Sequence, residues 1–274
     1  MCKVLEVSRS GYYEWLNVKD KRIMNKNNFE ALVIAAYEQS NATYGSPRIA
    51  IQLTNDLNLN ISKTTVARVM KKRNLTARRK RRFKNTTDSN HNLPIAPNLL
   101  NREFKAEELA TKWVGDITYI RMNNKWLYLT TVIDLADRMV IGWSLSNNMT
   151  TKDTVARAFL TAVNYRSPKA NLIFHSDRGV QYASDEFKKL LSQYEVIQSM
   201  SRKGNCWDNA VAESFFKTVK VECLYKHTII SQKQAYSILF KYIDGWYNTI
   251  RIHSALNGLS PLKVQNQKLY YIAA

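Results

Sequence analysis

Three acidic residues sit where acids are unfavourable. Asp116 lies in an apolar run between Val114 and Ile117, Asp177 follows Leu172-Ile173-Phe174, and Glu213 falls between Ala210 and Phe216. A carboxylate in an apolar segment needs a partner or a bound cation, and carboxylates that converge repel one another until positive charge joins them. Hard oxygen donors with no nearby His/Cys cluster favour Mg²⁺ or Mn²⁺ over zinc. Two such ions about 4 Å apart activate an attacking oxygen and stabilise a leaving oxygen in an in-line phosphoryl displacement. Sixty residues lie between Asp116 and Asp177, and 35 between Asp177 and Glu213. With 11 Asp and 11 Glu in the chain, spacing alone is a weak signal. The surrounding elements must bring the three together.

Those elements read as alternating strands and helices. Lys112–Met122, Trp126–Asp134 and Met139–Leu145 are rich in β-branched and aromatic residues and are joined by short turns, which predicts an antiparallel meander. A helical pattern follows over Thr151–Tyr165, then a strand at Asn171–Ser176, a helix at Ser184–Tyr194 and a strand at Glu195–Met200. Helices at Ala210–Tyr225 and Ser231–Asn248 complete the series. The order predicts an α/β domain with a mixed five-stranded sheet, ribonuclease-H-like, with the first and fourth strands adjacent. The Glu213 helix would cross their ends and bring the three acids together.

The N-terminal third is different. Phe29–Gln39, a helix opened by Ser46-Pro47 with Ser46 as its cap, and a third capped by Ser62 form a helix-turn-helix pattern. The expected inward residues are Leu32, Val33, Ala36 and Tyr37, then Ile49, Leu53 and Leu57, then Val66, Val69 and Met70; Lys63, Thr65, Arg68 and Lys72 face outward on the third helix. No acid occurs from Leu57 to Thr87, while Arg78, Arg79, Arg81 and Arg82 extend the basic run. Lys and Arg total 41 against 22 Asp and Glu, a net charge of +19, which points to nucleic acid. Three distant cysteines exclude a disulfide scaffold or a CxxC zinc site. No apolar run approaches the roughly 18 residues of a membrane span, and no signal-peptide pattern opens the chain. The expected organisation is a small all-α DNA-binding region with a basic arm (1–84), a Pro- and Asn-containing linker (85–108) and a catalytic core (109–265).

Four segments resemble a known family. Trp113-Val-Gly-Asp116-Ile-Thr-Tyr119 is similar to the first acidic motif of D,D(35)E transposases and retroviral integrases. His175-Ser-Asp177-Arg-Gly179-Val-Gln-Tyr182 is similar to the second, and the stretch from Ser201 through Asp208 and Glu213 to Phe216 to the third. The tail Trp246–Pro261 resembles the segment that closes the core, with Ile252 where the pattern has Pro. Together they resemble the downstream (orfB-type) product of bacterial insertion sequences whose transposase is encoded in two overlapping frames. The resemblance implies Asp116, Asp177 and Glu213 as catalytic, metal-binding residues, two Mg²⁺ or Mn²⁺ ions, and strand cleavage and transfer without a covalent protein–DNA intermediate. The implied partners are double-stranded DNA (terminal inverted repeats and target) and further copies of the chain in a synaptic complex. The implied location is the bacterial cytoplasm, at the nucleoid.

Other residues carry two readings each. Lys217 and Lys220, at i+4 and i+7 from Glu213, share its helix face and either hold donor-strand phosphates or form a solvated face. His175 orients a carboxylate or contacts DNA, or is a hydrogen-bonded structural residue. Gly179 is expected to provide a sharp bend after the strand. Trp207 stacks on an unpaired base or anchors packing, Asp208 rivals Glu213, and Arg251 and His253 touch DNA or cap the last helix. A second functional class is a non-catalytic DNA-binding regulator, a domesticated relative or a partial product needing fusion to an upstream frame. The helical pattern already under way at Leu5–Tyr13 suggests that last form.

Overall fold

The computed structural model describes residues 2, 6–77 and 93–273. Arg78, Arg79, Arg81 and Arg82 of the basic arm lie outside them. The chain divides into two compact units, Met1–Arg78 and Arg79–Ala274.

The described residues of the first unit form α1 (Arg9–Gln39), α2 (Ser46–Leu57) and α3 (Lys63–Lys72). Helix α1 begins at Arg9, twenty residues earlier than Phe29, and is capped by Ser8, whose Oγ accepts the Gly11 N–H at 3.0 Å. The N-cap of α2 is Gly45 rather than Ser46, which puts Pro47 in the first turn where no N–H is needed. Ser62 caps α3 by accepting the Thr65 N–H at 3.2 Å. Val33 and Ala36, Ile49, Ala50 and Leu53, and Val66, Val69 and Met70 meet as a small core, while Leu32 and Leu57 are exposed. Glu30, buried on α1, accepts from Lys72 Nζ at 2.6 Å and from Arg73 Nε and Nη2 at 3.0 and 2.7 Å. The end of α3 is thereby fastened to α1, and these two cations hold the Glu30 carboxyl below its usual range. Lys63 and Arg68 remain exposed on α3.

The second unit is built on one mixed sheet of order β3-β2-β1-β4-β5. Strands β1 (Lys112–Met122), β2 (Lys125–Asp134) and β3 (Val140–Ser146) form the antiparallel meander; β4 (Ile173–Ser176) and β5 (Ile197–Met200) add in parallel. The β1–β2 turn is Asn123-Asn124, with Asn123 at φ 49°, a left-handed conformation that Asn tolerates. The helices are α4 (Arg157–Tyr165), α5 (Val180–Ala183), α6 (Asp185–Gln193), α7 (Ala210–Glu222), α8 (Gln232–Tyr242) and α9 (Pro261–Ala273). The turn before α4, Lys152–Ala156, is π-helical, and a second π-helical turn, Ile243–Tyr247, extends α8. Helix α4 lies so close to β3 that a Cβ on Gly142 would meet the Ala158 carbonyl oxygen at 2.3 Å.

Side chains alternate across β1 and feed two cores. Val114 and Ile120 join Phe215, Phe216 and Val219 of α7 and Leu239 of α8 on one face. Trp113 joins Phe159, Phe174, Phe187 and Leu191 on the other. Residues 93–108, placed by the sequence pattern in the linker, form no helix or strand but are packed on this unit. Leu100 is buried, Phe104 and Ala106 lie against the α7 core, and Leu93, Ile95 and Ala96 lie against the other. No described helix is long and apolar enough to cross a membrane.

Candidate active site

The β1–β4 ladder ends at the pair Val114–His175. Asp116 and Asp177 each lie two residues beyond that pair, side by side at the open end of two parallel strands. Asp116 is buried and accepts the Ile117 N–H at 2.8 Å; Asp177 Oδ1 accepts the Gly179 N–H at 2.9 Å. Glu213, half-buried in the first turn of α7, is 3.7 Å from Lys217 Nζ. Helix α7 is tied to β1 by Asn209, whose Nδ2 donates to the Gly115 carbonyl at 3.2 Å, one residue before Asp116.

Charge on one member of this group is felt by the others. Burial pushes the Asp116 carboxyl well above its usual range, and Asp177 and then Glu213 add to the effect against the Ile117 N–H and Lys220. Burial also raises Glu213, with Lys217 opposing and Asp177 reinforcing. Lys220 is lowered by burial and partly restored by Asp116. Among the described residues no three His, Cys, Asp or Glu side chains close into a ready-made metal cage. The fold thus brings Asp116, Asp177 and Glu213 within each other's field without joining their oxygens.

Asp208 is removed as a rival to Glu213 by its own partners. Fully buried, it accepts from Arg202 N, Nε and Nη2, from Arg102 Nε and from Asn98 Nδ2, all at 2.8–3.0 Å. These bonds, Arg202 foremost, hold its carboxyl far below the usual range. They also frame the short 3₁₀ turn Cys206–Asn209, on which Trp207 is 69% exposed and therefore no packing anchor.

His175 does not contact DNA in this arrangement, because it has no exposed surface. Ser199 Oγ accepts the Leu99 and Leu100 N–H groups at 2.9 and 3.3 Å, so its proton points to His175 Nδ1 at 2.8 Å. Nε2 then carries the ring proton and donates to Ser201 Oγ at 3.2 Å, which donates onward to the Ser176 carbonyl. Burial pushes this imidazole down to about 4. The residue ties β4, β5 and the 93–108 segment together. Gly179 has an ordinary φ of −59°, so its expected bend is not left-handed; a Cβ there would crowd Asp177 Oδ1 at 3.1 Å.

Arg251 is buried and accepts no DNA role from its position. It donates to Glu222 of α7 from Nε and Nη2, both at 2.8 Å, and Tyr242 Oη donates to the same carboxylate at 2.7 Å. His253 packs edge-on against Tyr247.

One residue of the second motif escaped assignment from sequence. Tyr182 is 1% exposed, and among the described residues its hydroxyl has no hydrogen-bond partner. Leaving such a group unpaired costs about 1–3 kcal/mol. Burial pushes the phenol far up, with Asp116 and Asp177 adding to the rise. The motif made the position visible, but only the fold shows the hydroxyl under Gly115, in the field of Asp116 and Asp177.

Comparison with known proteins agrees with this architecture. Two models described as Integrase core domain match residues 107–206 and 194–261, and one described as HTH-like domain matches 24–83. A chain of the simian T-cell lymphotropic virus intasome, solved with PP2A regulatory subunit B56 gamma, shares the fold at 14% identity, with a TM-score of 0.50 over 78% of this chain and 73% of that one. The class is therefore an integrase-core protein with an HTH-like DNA-binding domain. Transposase InsF for insertion sequence IS3A from Escherichia coli (strain K12) is 40% identical over 98% of this chain and 94% of its own length. A 31 kDa protein of insertion element IS600 from Shigella sonnei is 36% identical over the full length of both. The chain belongs to the family of insertion-sequence transposases.

Proposed function

We propose that this transposase is divalent-metal-dependent, with Asp116, Asp177 and Glu213 as its catalytic and metal-binding residues and two Mg²⁺ or Mn²⁺ ions in the working site. The observation that carries the reading is the convergence of these carboxylates where the β1–β4 ladder ends, with Asp116 and Glu213 both opposed by burial and by Asp177, which a cation relieves. The donor set fits a hard cation: it is all oxygen, and the nearby imidazole is held between two serines. Bound ions supply activation of the attacking oxygen and stabilisation of the leaving oxygen.

The chain's own residues hold the geometry. Backbone N–H groups of Ile117 and Gly179 fix one oxygen of Asp116 and of Asp177, and α7 presents Glu213. In cleavage, a water oxygen bonds to phosphorus as the P–O3′ bond breaks, leaving a 3′-hydroxyl at the element end. In transfer, that 3′-oxygen bonds to a target phosphorus and displaces its 3′-oxygen, which takes up the proton. One P–O bond replaces another, and no protein–DNA bond forms. Lys217 and Lys220 hold donor-strand phosphates, and α3 presents Lys63 and Arg68 to the duplex. Arg78, Arg79, Arg81 and Arg82 add sequence-independent affinity. In this reading residues 1–84 bind terminal repeats, 85–108 connect, 109–265 catalyse, and several copies synapse the ends at the nucleoid.

The test replaces Asp116 or Asp177 by Asn, or Glu213 by Gln, one at a time. Each should abolish cleavage of a terminal-repeat duplex in Mg²⁺ while leaving DNA binding within a few-fold of the parent. Undiminished cleavage by any one variant removes that residue from the site.

A further inference from the structure

Helix α5 begins at Gly179, whose N–H holds Asp177 and whose carbonyl accepts the Tyr182 N–H at 3.0 Å. Tyr182 is thus rigidly linked to the loop that carries Asp177. Its ring packs against Phe174 and Phe187, with centroids 6.1 and 5.7 Å away, and a phenylalanine would make the same contacts. The hydroxyl is the excess feature: buried, without a partner among the described residues, and turned toward β1 at Gly115. A Cβ on Gly115 would stand 2.6 Å from Phe174 Cζ and 3.2 Å from Tyr182 Oη. The missing side chain at 115 therefore leaves the phenol directly under the residue that precedes Asp116. A buried hydroxyl that packing does not need, within the electrostatic reach of both Asp116 and Asp177, is suited to donate a hydrogen bond to a carboxylate oxygen.

We propose that Tyr182 is a positioning residue for the metal site: its hydroxyl donates to the Asp116–Asp177 pair when the pair holds a cation, and remains unsatisfied when it does not. The inference rests on the assignment of Asp116 and Asp177 as metal ligands. Partners of metal-ligating groups fix ligand orientation, and their loss typically lowers metal affinity about 10- to 100-fold. The two states give the hydroxyl effects of opposite sign. It destabilises the metal-free protein and strengthens the metal-bound one, a combination that a purely structural tyrosine does not produce.

The experiment uses the full chain, with Mn²⁺ as probe and free Mn²⁺ read by electron paramagnetic resonance. Tyr182→Phe should bind Mn²⁺ about 10-fold or more weakly than the parent, while its melting temperature in EDTA holds or rises by a few degrees. Its cleavage activity should need correspondingly more Mn²⁺ and approach the parental rate at saturation. Asp116→Asn is measured alongside. If Asp116→Asn loses Mn²⁺ and Tyr182→Phe binds it like the parent, the role of Tyr182 is overturned and the metal site stands. If Asp116→Asn binds Mn²⁺ undiminished, the metal-site reading fails and takes the Tyr182 role with it. A melting temperature in EDTA that falls for Tyr182→Phe shows the hydroxyl already partnered without metal, and also overturns the proposal.

Discussion

Asp208 and Glu213 lie on consecutive turns of one segment, yet their surroundings are opposites. Asp208 is enclosed by two arginines, an asparagine amide and a backbone N–H, and its charge is secure. Glu213 has one lysine at 3.7 Å on its own helix, and it faces a neighbourhood of negative charge that includes Asp116 and Asp177. Glu222, at the far end of α7, repeats the first pattern with Arg251 and Tyr242. Planar guanidinium forks match carboxylates with two bonds and fix them in place. Where the protein needs a carboxylate to hold structure it supplies that fork. Where the β1–β4 ladder ends, burial opposes ionisation, and the charge is left for something outside the chain to balance.

The widest gap should appear when a carboxylate of each kind is neutralised. Glu222→Gln leaves Arg251 buried without its counter-charge, and breaking such a pair costs about 3–5 kcal/mol. Asp116→Asn should leave the metal-free protein as stable as the parent or more so. The sign follows from the raised carboxyl: above the ordinary value of 3.8 the unfolded chain ionises while the folded one resists, so Asp116 loses stability as pH rises and Asn does not. Denaturant unfolding in EDTA at pH 7 measures both. Equal losses in the two variants would erase the distinction between structural and functional acids.

Much of this contrast could not be seen in the sequence. The meander and the five-stranded order were legible because strands β1 to β3 are dense in β-branched and aromatic residues, and the three acids stood out as charges in apolar segments. The partners of Asp208 come from Arg102, Asn98 and Arg202, and no local pattern joins the first two to the third. Residues 93–108 lack periodicity, and at their centre the Leu99 and Leu100 N–H groups bond Ser199 and the Asn98 and Arg102 side chains bond Asp208 rather than a helix or ladder. Helix α1 was underestimated because its first half offers no apolar stripe; Tyr13, Trp15 and Leu16 there are exposed. Of the two readings of His175, the hydrogen-bonded structural one holds, and spacing could not decide it because two serines from β5 and the following residue enclose the ring.

That enclosed histidine sharpens the comparison, since it is a titratable group beside the site whose charge the fold does not accommodate. Unfolded, His175 takes a proton near 6.5; folded, it stays neutral down to about 4. Between those values the unfolded chain binds more protons, so stability falls as pH drops through the window, by roughly 3 kcal/mol in total. His175→Gln should lack this component, and the difference between the two unfolding curves from pH 7 to pH 4 isolates it. Parallel curves would mean that the imidazole charges in the folded state and that the serine–histidine–serine chain is not maintained.

The smallest expected effect concerns Lys217 and Lys220, which lie beside Glu213 and in the field of Asp116. Unlike the arginine forks they are single point charges on flexible stems, able to leave a carboxylate for a phosphate. Lys217 is exposed and pairs with Glu213, while half-buried Lys220 lies in the field of Asp116. If both hold the donor strand, Lys217→Ala/Lys220→Ala should lower the slope of log K against log salt for a terminal-repeat duplex by about 2. Strand transfer should fall with it. Metal affinity should hold or rise, because removing positive charge beside carboxylates favours their cation. Circular dichroism should not change, since neither residue belongs to the apolar core of α7. A variant that keeps the parental salt slope and transfer rate would place these lysines with Arg202 and Arg251, as charges that serve the fold. A variant that loses slope and transfer but keeps metal would divide the labour on α7: carboxylate for the ion, lysines for the strand, and Glu222 to hold the helix in place.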